Sequence, residues 1–407
     1  MDNAGGMPST GRLRGLMFAK QFPNDAEPFR GLFTLQQLRA TSDDVEWQVI
    51  APLPWMPRWL AAVLRRQYVT GAPVVDGVTV ERPRYPVLPK RTLYTTVAPL
   101  MAAASRGAFD RIRLSHRPQF VHAHAIYPAA SAARKLIGSD PVPLIVSVHG
   151  SDLHTNLVRP AWAREVRRTL ASAAAVICVS NALADEVREL DCVDSGRVVV
   201  IPNAVDVSRF AYIPRDPHDG PVRLVSVGNL VPVKGHDILL RGLAVAVREG
   251  LDATLDLVGG GPQLDWLRSI AASEGIADRV TFLGSLCGDD LVAALARADA
   301  FVLASRREGF GVAIVEALAT GLPVLATRSG GPEDIVGDAD GILVAPNDPR
   351  EIARGLMQLV RNLAGFDVRA IAERAAERYS PDRVGAMLVS VYCSVVNAAS
   401  ETGRHHG

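Results

Sequence analysis

Short apolar runs recur along the chain, each followed by a glycine- or proline-bearing polar loop and then by apolar residues at helical spacing. In the first half the runs are residues 13–19, 47–51, 78–84, 120–124, 144–148, 174–179 and 198–201. In the second half they are 222–227, 253–258, 280–283, 300–304, 323–327 and 341–345. Most are apolar throughout rather than alternating, as expected of strands covered on both faces. Strand and helix in alternation predict an α/β chain with parallel sheets. A proline- and charge-rich stretch, IPRDPHDGP, follows the first set and reads as a linker. The organisation is therefore a domain over 11–205, a linker over 206–221 and a second domain over 222–383.

One stretch, residues 300–336, carries the most specific chemistry: AFVLASRREGFGVAIVEALATGLPVLATRSGGPEDIV. It reads as strand, loop, helix, strand, loop and helix start. The first loop holds Glu308, Gly309, Phe310 and Gly311. Such loops lie at the carboxyl ends of parallel strands, where ligands bind. Glu316 falls inside the helix among Ala313, Ile314, Val315, Ala317 and Leu318. A carboxylate buried there needs a partner, and carboxylates suit the paired hydroxyls of sugars. Upstream, Lys234 and Gly235 lie between a strand and a helix. A helix start with an ammonium beside it is an anion site.

The pattern E-G-F-G-x4-E, followed by G-x-P-V-x-A-T-x-x-G-G, resembles glycosyltransferase family 4, retaining transferases built from two Rossmann domains (the GT-B type). The resemblance implies two doubly wound domains facing across a cleft, with helix 384–398 crossing back onto the first. It implies that Glu316 holds the donor ribose and Glu308 the hydroxyls of the donor sugar. Lys234 and the glycine-rich helix starts would then stabilise the diphosphate leaving group. His149, in His149-Gly-Ser-Asp, is expected beside the reacting sugar. Gly31 matches the first-domain glycine near the diphosphate. Gly260 and Leu286 fall in loops near the nucleobase. The family usually has Gly-Arg-Leu where this chain has Gly228-Asn229-Leu230, so Asn229 leaves one cation of the expected pair missing. Arg306 and Arg307 are the candidate replacements; equally, both read as surface residues. The G-N-L-V-P-x-K-G-H-D variant, with an N-terminal F-P-x(n)-G-x-F loop, looks like the exopolysaccharide and teichuronic-acid transferases. Catalysis without a covalent enzyme intermediate, using a UDP- or GDP-sugar and a saccharide or lipid-linked acceptor, follows from the same resemblance.

Composition narrows the alternatives. The net charge of +1 over 407 residues offers no global field for nucleic acid. Four cysteines without C-x-x-C spacing read as reduced and cytosolic, without a zinc site. No run of 18 apolar residues stands out, so no transmembrane helix is expected, and the N-terminus lacks a signal-like apolar core. Asp338-Ala-Asp340 matches a D-x-D metal motif by letter alone, and neither metal nor cofactor is expected. His122 and His124 are expected on opposite faces of their strand, in structural roles. Residues 55–69, WMPRWLAAVLRRQYV, read as a basic amphipathic helix. Over 55–91 seven Lys/Arg face two acids. That segment either lies on an anionic membrane or packs on its own sheet. A nucleotide-sugar epimerase and a non-catalytic nucleotide-sugar-binding protein are the rival readings. The first needs a second set of acid–base groups that the sequence does not supply.

Overall fold

Residues 11–24, 31–57, 71–87, 94–157, 159–216 and 218–404 are described by the computed structural model. The helix read over 55–69 and much of the basic 55–91 segment lie outside them. Among the described residues ten strands belong to the first half. They are β1 (Leu13–Ala19), β2 (Val45–Ile50), β3 (Leu53–Trp55), β4 (Val74–Val75), β5 (Val78–Glu81), β6 (Arg84–Pro86), β7 (Phe120–His124), β8 (Leu144–Val148), β9 (Ala175–Cys178) and β10 (Val198–Val200). Eight of these form one sheet in the order β10-β9-β8-β7-β1-β2-β5-β4. Its pairs are parallel apart from the edge strand β4. The run expected over 78–84 breaks at Pro83, which has no N–H for the ladder. Beyond it, β6 pairs with β3 in a separate two-stranded sheet.

Every residue of β7, β8 and β9 is buried, so helices cover both faces of the sheet. Helix α1 (Leu32–Ala40) follows β1, α2 (Val97–Ser115) precedes β7, and α3 (Ser151–Leu157) follows β8. The chain order reverses between β1 and β7, a topological switch point.

Among the described residues the second half has six strands: β11 (Val222–Val227), β12 (Ala253–Val258), β13 (Val280–Gly284), β14 (Ala300–Leu303), β15 (Val324–Thr327) and β16 (Gly341–Val344). All pairs are parallel, in the order β13-β12-β11-β14-β15-β16. Numbered from β11, this is the 3-2-1-4-5-6 order of a Rossmann fold, and its switch point lies between β11 and β14. The helices used below are α4 (His236–Arg248), α5 (Val312–Ala319), α6 (Pro349–Arg361) and α7 (Val368–Tyr379). Helices α4 and α6 close one face over Leu240, Leu243, Leu255, Val302, Ile352 and Leu356.

By contacts, the residues up to Val179, Leu183–Ala204 and the chain from Pro381 onward form one unit; Ser180–Ala182 and Val205–Ser380 form the other. Helix α8 (Pro381–Arg404) thus belongs to the first unit. Its Val384, Leu388 and Tyr392 lie in the same core as Trp47 and Phe120. The stretch Val368–Glu401 is long and apolar enough to cross a membrane by length and composition, yet those α8 side chains are spent on this core.

The segment read as a linker is fastened to the second unit. Arg215 donates to the carbonyls of Ala298, Leu295 and Thr320. His218 contacts Asp299 at 2.9 Å. Burying the Arg215 guanidinium lowers its pKa, and these carbonyls supply its hydrogen bonds.

Candidate active site

In the second unit the loops after β11 and β14 flank the switch point, and they carry Lys234 and Glu308. Gly235 makes their approach geometrically admissible. Its φ is +64°, and a Cβ there would sit 1.9 Å from the Ala304 carbonyl oxygen. Only glycine fits a left-handed residue pressed so closely on backbone. Lys234 Nζ donates to Glu308 Oε2 at 2.5 Å, and Ser305 Oγ donates to the same oxygen at 3.1 Å. The lysine side chain is 24% exposed and the glutamate 12%. The ammonium has three N–H donors, so this pair leaves it capacity for an anion.

The loop carrying Glu308 is clasped through its backbone. Glu308 N donates to the Ser329 carbonyl at 2.8 Å, and Gly331 N donates to the Glu308 carbonyl at 2.8 Å. Glu333 Oε2 accepts from Ser329 N and Gly330 N, both at 3.0 Å. Gly309 is half-buried, while Gly311 caps α5 in a left-handed conformation. Phe310 is buried with its ring edge-on to Tyr379 at 5.8 Å. Glu316 sits on α5, half-buried among buried Ile314, Val315, Ala317 and Leu318. Burial pushes its carboxyl pKa up to about 8. Among the described residues no hydrogen bond or ion pair holds it.

Asn229 is exposed. Arg306 is committed elsewhere: its guanidinium forks onto Asp237 at the start of α4 and also donates to the Pro232 carbonyl. Arg307 is exposed. Gly260 lies against Ser285, whose Oγ would be 2.8 Å from a Cβ at that glycine. Leu286 follows, half-buried. The turns after β12 and β13 therefore adjoin each other beside the Lys234 loop.

His236, which the sequence reading passed over, is buried at the first turn of α4. Among the described residues neither ring nitrogen makes a hydrogen bond of good geometry, though the backbone of Asn229 and Gly228 lies near enough to favour the charged ring slightly. Burial first, and the Lys234 ammonium second, push its pKa down to about 4. The signal available was the string Lys-Gly-His-Asp at a helix start. Ser305 and the Arg306–Asp237 fork had no such signal.

In the first unit Gly31 opens α1 with φ +73°, and a Cβ there would lie 2.2 Å from the Gln21 carbonyl oxygen. Phe33 packs on the His149 ring with centroids 4.2 Å apart. His124 Nδ1 lies 3.3 Å from His149 Nε2, and the two rings stack at 16°. The expectation that His122 and His124 point to opposite faces is corrected here. Residues two apart in a strand share a face, and these rings are 4.5 Å apart. His122 has both nitrogens engaged, Nδ1 with Tyr392 OH at 2.9 Å and Nε2 with Ser147 Oγ at 2.8 Å. Burial, then the proximity of His149, lowers its pKa to about 3. His124 is held well below the usual value by burial and by both neighbouring histidines. Among the described residues no group of three or more His, Cys, Asp or Glu side chains is placed to hold a metal ion.

Comparison with known proteins agrees with this architecture. Residues 213–378 match the model for glycosyl transferases group 1, and residues 60–209 the model for Glycosyltransferase Family 4. A glycogen synthase of Mycobacterium tuberculosis is 31% identical over 64% of this chain and 64% of its own length. A GDP-mannose-dependent mannosyltransferase of the same organism, acting on phosphatidylinositol monomannoside, is 37% identical over 44% of this chain and 49% of its own. The chain thus spans from about half to just under two thirds of the length of these relatives. TuaC of Bacillus subtilis, ascribed to teichuronic acid biosynthesis, is 27% identical over 84% of this chain and 88% of its own. Among solved structures, sucrose-phosphate synthase from Thermosynechococcus elongatus superposes with a TM-score of 0.74 at 18% identity, covering 95% of this chain and all of the other. HepE of Anabaena, solved with UDP and glucose, gives 0.70 at 19%, covering 94% of this chain and all of the other. At such identities the likeness speaks for the fold, two Rossmann-like domains of the GT-B type. With both halves matched by the corresponding family models, the chain belongs to the family 4 glycosyltransferases.

Proposed function

We propose that this protein is a retaining, metal-independent glycosyltransferase that moves a hexosyl group from a UDP- or GDP-sugar to a saccharide or lipid-linked acceptor in cell-surface polysaccharide synthesis. The observation that carries the reading is the trio at the switch point of the second unit. Lys234 and Glu308 are joined across it, and Glu316 stands on the adjoining helix without a partner. Lys234 suits the diphosphate, whose charge grows as the anomeric C–O bond breaks. Glu308, anchored by Lys234 and Ser305, keeps lone pairs for sugar hydroxyls. Glu316 suits a ribose diol, which would supply the partner it lacks. His149 is assigned to the donor sugar and Gly31 to the approach of the diphosphate. Gly260 and Leu286 are assigned to the base side. The acceptor hydroxyl bonds to the anomeric carbon and its proton passes to the departing phosphate oxygen, on the retained face.

The test is nucleotide release across a panel of UDP- and GDP-sugars, with and without acceptor, in EDTA. Acceptor-dependent release with an anomerically retained product supports the reading. Tight donor binding without release favours a non-catalytic binding protein. We further infer a cytoplasmic location with peripheral contact with anionic membrane through residues 55–91, on the charge and tryptophans of that sequence. Flotation with anionic but not neutral vesicles, abolished by high salt, is the result that reading requires.

A further inference from the structure

The loop after β11 leaves one main-chain donor unengaged. Gly228 N donates to the Val258 carbonyl and Leu230 N to the Gly260 carbonyl, both at 2.9 Å and both toward β12. Val231 N turns back onto the Asn229 carbonyl at 2.8 Å. Of these four N–H groups, that of Asn229 alone has no acceptor among the described residues. Its direction follows from the sheet. A strand paired on both sides aims successive N–H groups alternately at its two neighbours. With residues 228 and 230 turned to β12, the N–H of Asn229 is aimed at the β14 side. The peptide plane gives the same direction. The Gly228 carbonyl oxygen sits beside Gly259, 1.9 Å from where a Cβ there would be, and the N–H of a trans peptide points opposite to its carbonyl. On the β14 side the pairing has already ended. Strand β11 meets β14 only at Leu224↔Ala300 and Val225↔Phe301, whereas its ladder with β12 runs on to Val227↔Val258. The N–H of Asn229 therefore faces the gap at the switch point of the second unit. The stem of Lys234 and the buried ring of His236 pack on the same turn: Lys234 Cδ and His236 Nε2 each lie 3.7 Å from where Gly228 would carry a Cβ.

We propose that the main-chain N–H of Asn229 is a ligand for a phosphate oxygen of the donor diphosphate, a fixed neutral donor beside Lys234 where the side chain supplies no charge. This rests on the donor site proposed above and goes beyond it by naming a main-chain atom that the residue type at 229 does not reveal. Oriented backbone N–H groups bind anions without a full charge of their own. Asn229 is exposed, so this one exchanges solvent for phosphate.

The test is amide NMR of the isotope-labelled full-length protein, titrated separately with UDP, GDP, uridine and guanosine. The expected result is a downfield shift and slowed hydrogen exchange of the Asn229 amide with UDP or GDP but not with the nucleosides, alongside a response at Gly235. A response at Gly235 with Asn229 unmoved overturns the inference and leaves the donor site standing. No response at either residue to either diphosphate defeats the donor site itself, and the inference with it. A response of Asn229 to the nucleosides as strong as to the diphosphates assigns it to the base and overturns the phosphate role. The second arm alters the main chain and keeps the side chain: the α-hydroxy analogue of asparagine at position 229 turns the N–H into an ester oxygen. UDP or GDP affinity is expected to fall about 10- to 100-fold, the range for a hydrogen bond to a charged group, with thermal melting and nucleoside affinity unchanged. Equal diphosphate affinity in ester and amide overturns the proposal.

Discussion

Arg306 grips Asp237 with two hydrogen bonds, Nη1 to Oδ1 at 2.8 Å and Nη2 to Oδ2 at 2.7 Å. The fork holds Asp237 below the usual carboxylate range against the opposing effect of burial. This guanidinium joins the loop after β14 to the start of α4 and is no substitute for the arginine missing at Asn229. Arg306→Ala is expected to cost about 1.5–3 kcal/mol of stability, the range for a hydrogen bond to a charged group. Asn229→Arg is expected to tighten donor binding. Denaturant melts and donor titration of the two variants check both; weaker binding in Asn229→Arg contradicts the missing-cation account.

With Arg306 occupied by Asp237, the proposed phosphate role falls to Lys234. Lys234→Ala is expected to lose nearly all activity, and Glu308→Ala to depress turnover more than stability. A desolvated charged contact with ligand is worth about 2–5 kcal/mol. Steady-state kinetics beside thermal melts separate the effects. A Lys234→Ala enzyme that keeps most of its kcat/KM moves the phosphate site elsewhere.

Glu316 sets a pH signature of known sign. Its folded pKa, about 8, lies above the ordinary 4.5. Between those values the folded protein holds a proton that the unfolded chain has released, so stability falls as pH rises through that window. The slope approaches 1.4 kcal/mol per pH unit at most. Glu316→Gln is expected to flatten it. Ribose hydroxyls favour the carboxylate, so donor binding should release a proton near pH 7 and tighten toward pH 9. Calorimetry in buffers of different ionisation enthalpy reads that proton; its absence, or unchanged affinity in Glu316→Ala, removes the ribose assignment.

Gly235 and Gly250 give a matched pair. Both have positive φ, +64° and +96°, but a Cβ at 250 meets nothing within 4 Å while one at 235 strikes the Ala304 carbonyl. Gly250→Ala is expected to cost about 1 kcal/mol for backbone strain alone. Gly235→Ala should cost clearly more and weaken donor binding too. Chemical denaturation of both variants measures the difference.

The strands of the second unit were legible nearly to the residue, because parallel strands buried on both faces leave continuous apolar runs between glycine-bearing loops. The motif likewise placed Lys234, Glu308 and Glu316 in the right loops and helix. What stayed hidden was pairing across long sequence separation. Nothing local announces that Arg306 will meet Asp237, that Arg215 will cap carbonyls near residues 295–298 and 320, or that His122 will find Tyr392 on the last helix. The same limit concealed the histidine series, where a misjudged strand period separated two rings that lie together.

The backbone clasp at residue 308 has a practical consequence. Both hydrogen bonds that fasten this loop to Ser329 and Gly331 come from main-chain atoms of Glu308, which every substitution except proline at that position preserves. The attachment of the loop and the carboxylate assigned above to the donor sugar are thus encoded by different atoms of one residue. A panel of side chains at 308 keeps these main-chain ties while it alters only the contacts to Lys234 and Ser305, so the assigned donor role can be varied there without first rebuilding the loop's backbone attachment.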